Sequence, residues 1–479
     1  MSINGTALLT SVTYFPFGAV SGWSWGNGTS VTRSYDTDGK LTSINTAADP
    51  INFGYDNAFR VSGITDTLTP SNSWTLGYDP LDRLTSAQAG STYGWSYDAN
   101  GNRLSQTGSQ ATTFNISSTS NQITSTTGAL ARTYGYNSAG NTTSYTGASL
   151  TYNQRGRVAA ETVGTTANTF VYNALGQLAR YAFSTINLEL LYDESGQIIG
   201  EYNYPAGTLA RETIWMGDIP VAELVPNGAT VSIYYLHTDQ LNAPRKITRS
   251  TDNALVWRWD PTPFGYLSPN TNPSGLGNFY NNLRLPGQYF TQGTGTYYNY
   301  NRDYDPATGR YVESDPIGLS GGINTYAYVR GNPVSFRDSF GLYVQVVGST
   351  PIVTAQLQAA YNQIANTLTG SVLTSVLERS SLLYTITDNP LTSPTANFNP
   401  YSNTITVDPN FHPVLNTSCG KQAASTTIVL GHEIGHAATG ASDDGPGNMN
   451  NINLNENPIR LQLGLPIRTS YMPAAPYAY

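Results

Sequence analysis

A repeat with a period near twenty constrains this chain more than any other feature. The segments "RSYDTDGKLTSI", "FGYDNAFRVSGI", "LGYDPLDRLTSA", "WSYDANGNRLSQ", "YGYNSAGNTTSY", "LTYNQRGRVAAE", "FVYNALGQLARY" and "LLYDESGQIIGE" share one register. Their aromatic anchors are Tyr35, Tyr55, Tyr78, Tyr97, Phe114, Tyr136, Tyr152, Tyr172 and Tyr192, at successive separations of 20, 23, 19, 17, 22, 16, 20 and 20; Phe114 anchors a degenerate copy, "TFNISSTSNQI". A fixed period of this length marks an architecture in which each unit packs on its neighbours. Each unit reads as an aromatic strand ending in Tyr-Asp or Tyr-Asn, then a turn with glycine (Gly39, Gly101, Gly140, Gly156, Gly176, Gly196). A second strand of alternating apolar and polar residues follows, which makes one β-hairpin per unit. A lone hairpin is marginal in water, so the units must join edge to edge into one long antiparallel sheet that buries a face. Twist lets such a sheet close into a spiral with few free edges.

Composition narrows the partners. Charged residues make up 11% of the 479, with a net charge of −8 and only three lysines, Lys40, Lys246 and Lys421. Without clustered cations to neutralise phosphates, nucleic acid is not expected as a partner. The single cysteine, Cys419, excludes an internal disulfide framework and is expected to be a small buried hydrophobe. "MSINGTALLTSVTYFPFG" lacks a basic n-region, and no run of 18 apolar residues occurs. Neither a Sec signal nor a membrane span is expected, so any export would rely on other machinery.

With their Tyr-Asp turns, these repeats resemble the YD repeats of the RHS family of bacterial toxin-delivery proteins. Residues 234–342 strengthen the likeness: "YYLHTDQLNAPRKIT" and "LPGQYFTQGTGTYYNYNRDYDPATGRYVESDPIGLSGGINTYAYVRGNPVSFRDSFGL" are similar to the RHS-associated core. The resemblance implies a mainly β fold, a cocoon-like shell over residues 1–233 and a core domain over 234–342. It also implies a toxin segment held inside, over residues 343–479. Family habit further implies delivery machinery, a target cell in whose cytoplasm the toxin acts, and a cognate immunity protein.

The seam carries its own chemistry. Asp315 in "SDPIGL" and Asp338 in "FRDSFGL" match aspartates implied in self-cleavage after the leucine of a P-x-x-x-x-D-P-x-G-L motif, here Leu342. Two neighbouring carboxylates share a proton, so that one acts as base on water and the other as acid on the scissile carbonyl. The chain departs from the family pattern twice. Ser339 replaces the proline after Asp338, and Ser314 stands where relatives place an arginine, removing a cation from beside Asp315.

After Leu342 the repeat register is lost. "TAQLQAAYNQIANTL" has helix spacing at Leu357, Ala360, Tyr361, Ile364 and Leu368; strands are expected at 382–387 and 403–408, giving a small α+β domain. In "STTIVLGHEIGHAATG", Ser425 is the expected N-cap and Gly440 the C-terminal stop. On that helix His432 and His436 stand at i and i+4 and share a face, with Glu433 beside them, a zinc-site pattern. Glu456, twenty residues after His436 (456 − 436), is the expected third ligand, at gluzincin spacing. Asp443 and Asp444 are alternative ligands or acceptors for a histidine N–H. The domain resembles the zincin-type metallopeptidase toxins found at the ends of RHS proteins. That implies Zn2+, Glu433 as general base and a protein substrate in the target cell. His412, Arg460 and Tyr471 are weaker candidates for substrate contacts, and His237 belongs to the shell. An adhesive, carbohydrate-binding repeat protein with a degenerate C-terminal domain is the alternative, and a nuclease is disfavoured by the scarcity of cations after residue 342.

Overall fold

The computed structural model describes all residues except 4, 16–18, 38, 47, 49, 317, 342–344, 348, 350, 366, 380–383, 389–395, 444–448 and 474–479. The chain divides into two compact units, one of residues 1–11 and 23–342, the other of residues 12–22 and 343–479.

The repeats of the first unit form a wall. Its strands from Ser30–Tyr35 to Leu255–Arg258 are hydrogen-bonded in chain order into one long antiparallel sheet. The sheet runs through residue 234 without a break and ends at Arg258.

The Tyr-Asp signature has a direct physical role. The register of each pair shifts by one residue at the tyrosine, as between Ser96 and Tyr97 or Val171 and Tyr172. The ring then lies over the preceding hairpin, and its hydroxyl donates to a carbonyl there. Tyr55 reaches Leu41, Tyr78 Val61, Tyr97 Leu84, Tyr136 Ile123, Tyr152 Thr142, Tyr172 Val158 and Tyr192 Leu178, all at 2.7–2.9 Å. The next residue ties the turn. Asp98 Oδ1 accepts from the N–H groups of Asn100 and Asn102, while Asp98 N–H donates to Asn102 O and Gly101 N–H to Asp98 O. Only Asp or Asn carries an oxygen at the right reach for both bonds, which accounts for the Asp/Asn alternation. The turn also needs a positive φ, supplied by Gly101 at 80° and, where glycine is missing, by Phe59 at 64° and Asp82 at 62°.

The residue two before each tyrosine faces inward: Phe53, Leu76, Trp95, Leu150 and Leu190 are buried. This register corrects the degenerate copy. Phe114 is buried and aligns with Trp95, while the register shift falls at Ile116. Ile116 therefore holds the tyrosine position, 19 residues after Tyr97 and 20 before Tyr136 (116 − 97, 136 − 116).

Against this inward face packs a plug of residues 259–341, built around four short strands (Tyr289–Phe290, Tyr297–Asn299, Arg302–Asp305, Arg310–Tyr311). Tyr289 and Tyr298 join Leu178, Tyr181 and Leu190; Tyr304, Tyr311 and Tyr328 join Leu236, Ile247 and Trp257. Polar ties cross as well: Arg132 to Asp305 at 3.1 Å, Asn324 to Asn102 at 2.9 Å and Tyr326 Oη to Gly140 O at 2.6 Å. Buried among them is an acidic cluster. Burial, then the charge of Glu161, pushes Asp303 up to about 7 against the opposing Arg157; burial takes Glu161 to about 7 although Tyr145 donates to it. Burial and Asp303 hold Glu313 well above the usual carboxylate range.

The second unit has a four-stranded sheet and a three-stranded one, with helices α1 (Pro351–Ala365), α2 (Leu368–Arg379), α3 (Thr426–Thr439) and α4 (Asn457–Gln462). In the first sheet, Gln345–Val347, Thr385–Thr387 and Thr404–Val407 are parallel, and Ala396–Asn399 adds an antiparallel end strand. Leu357, Ala360, Tyr361 and Ile364 are buried as their spacing predicts, whereas Leu368 begins α2. Expected strand residues 382 and 383 lie outside the described residues. No helix among the described residues is long and apolar enough to cross a membrane.

Two outcomes follow from the wall and plug. Tyr172→Phe leaves Val158 O without its donor and should cost about 1 kcal/mol in the free energy of urea unfolding. Asp303, Glu161 and Glu313 hold protons more tightly folded than unfolded. The contribution of Asp303 and Glu161 is complete below about pH 4 and is lost as pH rises through about 7, and that of Glu313 is lost in the same direction. The urea midpoint of the wall should therefore be lower at pH 8 than at pH 5, with a smaller drop in Glu161→Gln.

Candidate metal centre

The site sits on α3. Ser425 caps its start, with Oγ accepting from Ile428 N–H, and Gly440 ends it in the left-handed region at φ 65°. Leu430 and Ile434 anchor the helix in the core of the unit. At i and i+4, His432 and His436 share a face, with ring centroids 4.7 Å apart and Nε2 atoms 3.2 Å apart.

A carboxylate closes the triangle, and it is not the one expected. Asp443 Oδ2 lies 3.4 Å from His432 Nε2 and 3.2 Å from His436 Nε2. The left-handed turn at Gly440 folds the chain back so that Asp443 faces the two rings. The two imidazole nitrogens and the carboxylate oxygen all lie within 4.8 Å of one another, the only such group of His, Cys, Asp or Glu among the described residues. Nitrogen and oxygen donors meeting at one point could hold a divalent cation of zinc's kind.

Glu456 stands on the other side of the ring. Its Oε2 is 2.9 Å from His432 Nδ1, the nitrogen turned away from the triangle, and 3.0 Å from Arg468. Glu456, the expected third ligand, is here a buried partner of His432 Nδ1, and Asp443, the alternative, is the carboxylate that faces both Nε2 atoms. His436 is oriented likewise, its Nδ1 2.6 Å from Ala441 O. With both Nδ1 atoms beside oxygen acceptors, both Nε2 atoms are turned toward Asp443. Gly435 makes this possible: a Cβ there would lie 2.5 Å from Asn451 Oδ1 and 2.8 Å from Asn455 Cβ, residues that bring in the π-helical turn Ile452–Glu456.

The electrostatics fit a site for positive charge. Burial lowers the affinity of His432 for a proton, but the hydrogen bonds it donates to Asp443 and Glu456 outweigh it and take the ring up to about 9. Burial pushes the Glu433 carboxyl up, opposed by His432 and His436, and the carboxyl accepts from Phe398 N–H in the strand Ala396–Asn399. Burial would raise Glu456, but His432 and Arg468 hold it below the usual carboxylate range.

Of the other candidates, Asp444 and Leu342 lie outside the described residues, as does the side chain of Tyr471. His412 is exposed, its Nδ1 2.9 Å from Ala424 O, and Arg460 is buried against Glu456 and Pro466 O. His237 is buried in the wall against Thr248. Cys419 is exposed, not buried, because it sits in the turn between the strands Val414–Thr417 and Gly420–Ala423. In the first unit, Asp315 and Asp338 converge on Arg302, which the sequence reading did not single out; its Nη1 and Nη2 lie 3.0 and 3.4 Å from their carboxylates.

The Teneurin YD-shell family model matches residues 50–209. The double-stranded DNA deaminase toxin A of Burkholderia cenocepacia is 32% identical over 165 residues, 34% of this chain and 11% of that protein. Toxin protein Tse5 of Pseudomonas aeruginosa is 34% identical over 126 residues, 26% of this chain and 9% of that protein. The chain thus spans about a tenth of the length of these curated relatives. The crystal structure of TcdB2-TccC3 without its hypervariable C-terminal region aligns with a TM-score of 0.57 at 18% identity, over 70% of this chain and 19% of that one. The C-terminal region is not covered by the toxin relatives.

The triangle predicts one divalent-metal site per chain. His436→Ala and Asp443→Ala should each abolish stoichiometric zinc binding, read by plasma mass spectrometry after dialysis. Glu456→Gln should weaken zinc affinity about 10–100-fold in a chelator competition without removing the site.

Proposed function

On a chain whose repeats build an RHS/YD-repeat toxin shell, we propose that residues 343–479 are a zinc-dependent endopeptidase toxin, released by aspartyl self-cleavage after Leu342. The observation that carries this reading is the convergence of His432, His436 and Asp443 on one point, with Glu433 next to it on the same helix.

His432 and His436 would hold zinc through Nε2 and Asp443 through Oδ2, three protein ligands that leave a position open, as catalytic zinc requires. Zinc bound there supplies Lewis acidity toward a substrate carbonyl and the attacking water. Glu433 takes the proton from that water and returns it to the leaving amine, and its buried, proton-retaining carboxyl suits both halves of the transfer. Glu456 keeps His432 from turning, and Arg468 keeps Glu456 charged. An extended peptide is suited by Ala396–Asn399, the end strand of its sheet among the described residues, whose Phe398 N–H reaches Glu433.

At the seam, water adds to the Leu342 carbonyl, the bond to Tyr343 nitrogen breaks, and a carboxylate and a free amine result. Of the Asp315 and Asp338 pair, which shares one proton, the ionised carboxylate takes a proton from water and the protonated carboxyl gives its own to the leaving amine. The DNA-directed activities named for relatives belong to those proteins. Here two of the few C-terminal cations, Arg460 and Arg468, are turned onto Glu456 instead of toward a phosphate backbone. As in toxins delivered to other cells, we place the substrate in a target cell, reached with delivery machinery, with an immunity protein protecting the producer.

Glu433→Gln should retain zinc and lose peptide hydrolysis by about 10²–10⁴-fold. The assay labels new protein N-termini in a target-cell lysate incubated with the full chain. New termini made equally by Glu433→Gln would contradict the reading.

A further inference from the structure

We infer that Arg302 is the positioning residue of the self-cleavage site, supplying from the plug the cation that Ser314 leaves out beside Asp315. The inference rests on the self-cleavage reading above.

Arg302 is buried, and its planar fork reaches four oxygens. Nη1 lies 3.0 Å from Asp315 Oδ2 and 3.2 Å from Thr325 O, Nη2 3.4 Å from Asp338 Oδ2, and Nε 2.8 Å from Gly341 O. The guanidinium lies 3.7 Å over the Tyr311 ring, whose hydroxyl donates to Asp338 Oδ2 at 2.7 Å and accepts from Asn299 Nδ2 at 2.7 Å. Two buried carboxylates drawn to one guanidinium repel each other, and the delocalised cation they share offsets that repulsion while fixing where each one lies. The pairing is thus geometric as well as electrostatic, which a lysine could reproduce only in charge.

The same residue holds the chain to be cut. Asn299 Nδ2 donates to Asp338 O, Asn301 N–H to Phe340 O and Arg302 Nε to Gly341 O, so residues 338–341 lie along residues 299–302. Gly341 has φ 61°, and a Cβ there would come within 2.5 Å of Asn299 O and 3.1 Å of Arg302 N. That explains physically why glycine precedes the leucine of the motif: no other residue lets the strand approach the clamp. Arg302 thereby holds both carboxylates and residues 338–341, which lead to the seam, without itself exchanging a proton.

The test is a pulse-chase of full-length chain made by cell-free synthesis. Cleavage between Leu342 and Tyr343 is followed by intact mass spectrometry from pH 4 to 9 in wild type, Arg302→Gln and Arg302→Lys. Wild type should be cut. Arg302→Gln should be cut about 100-fold more slowly, with the acid side of its pH profile moved upward, because carboxylates without the cation hold their protons to higher pH. Arg302→Lys should keep the wild-type profile but remain at least about 10-fold slow, having charge without the fork. Arg302→Gln cutting at the wild-type rate, or slowed equally at every pH with an unmoved profile, overturns the inference. Should Arg302→Gln not fold, a wild-type rate in Arg302→Lys overturns it just as directly. A wild-type chain that stays whole overturns the self-cleavage reading itself, and this inference with it.

Discussion

The bond from a tyrosine hydroxyl to a carbonyl of the preceding hairpin is what the rest of the first unit depends on. A hairpin alone has no partner for its face, and a sheet that grows one hairpin at a time needs each new unit to lock to the last. The register shift at the tyrosine lays the ring back over its neighbour, and the hydroxyl finishes the contact. One such bond is worth about 1 kcal/mol, and its repetition along the wall sets a single twist and register. The residue two places earlier is then bound to face inward, which creates the aromatic surface that the plug covers. Without that surface Arg302 would have no floor, since Tyr311 and Asp338 are held by the plug's packing on the wall.

Legibility followed the range of the interactions. The hairpin period and the Asp-Gly turns are local, so the residues announce them. The degenerate copy misleads because its only aromatic, Phe114, lies two positions early, where any large apolar side chain is accepted; the register is carried by Ile116, which has no hydroxyl. The polar ties of the plug were not readable, because Arg132 and Asp305, 173 residues apart, have no spacing rule to join them. Arg302 escaped notice for the same reason, its role existing only once two distant aspartates have converged. At the metal centre the i, i+4 histidines were legible from helix geometry alone. Which of Asp443 and Glu456 faces both Nε2 atoms was not, since both lie at ligand-like separations. What decides between them is a left-handed turn at Gly440 and the absence of a Cβ at Gly435.

The two chemistries use one device in different forms. In the plug a cation organises two carboxylates; on α3 two imidazoles and a carboxylate are organised to receive one. In both, the orienting groups are buried and the reacting groups lie next to them: Arg302 behind Asp315 and Asp338, Glu456 behind His432. The proposed self-cleavage of the shell and the proposed peptidase activity of the second unit would together keep a hazardous activity with its carrier until release.

The most direct test of the account is an anomalous difference map at the zinc edge from crystals of the zinc-loaded chain. The account predicts one peak per chain, about 2 Å from His432 Nε2, His436 Nε2 and Asp443 Oδ2, with Glu456 still on His432 Nδ1. A peak ligated by Glu456 in place of Asp443, or no peak at α3, would contradict it.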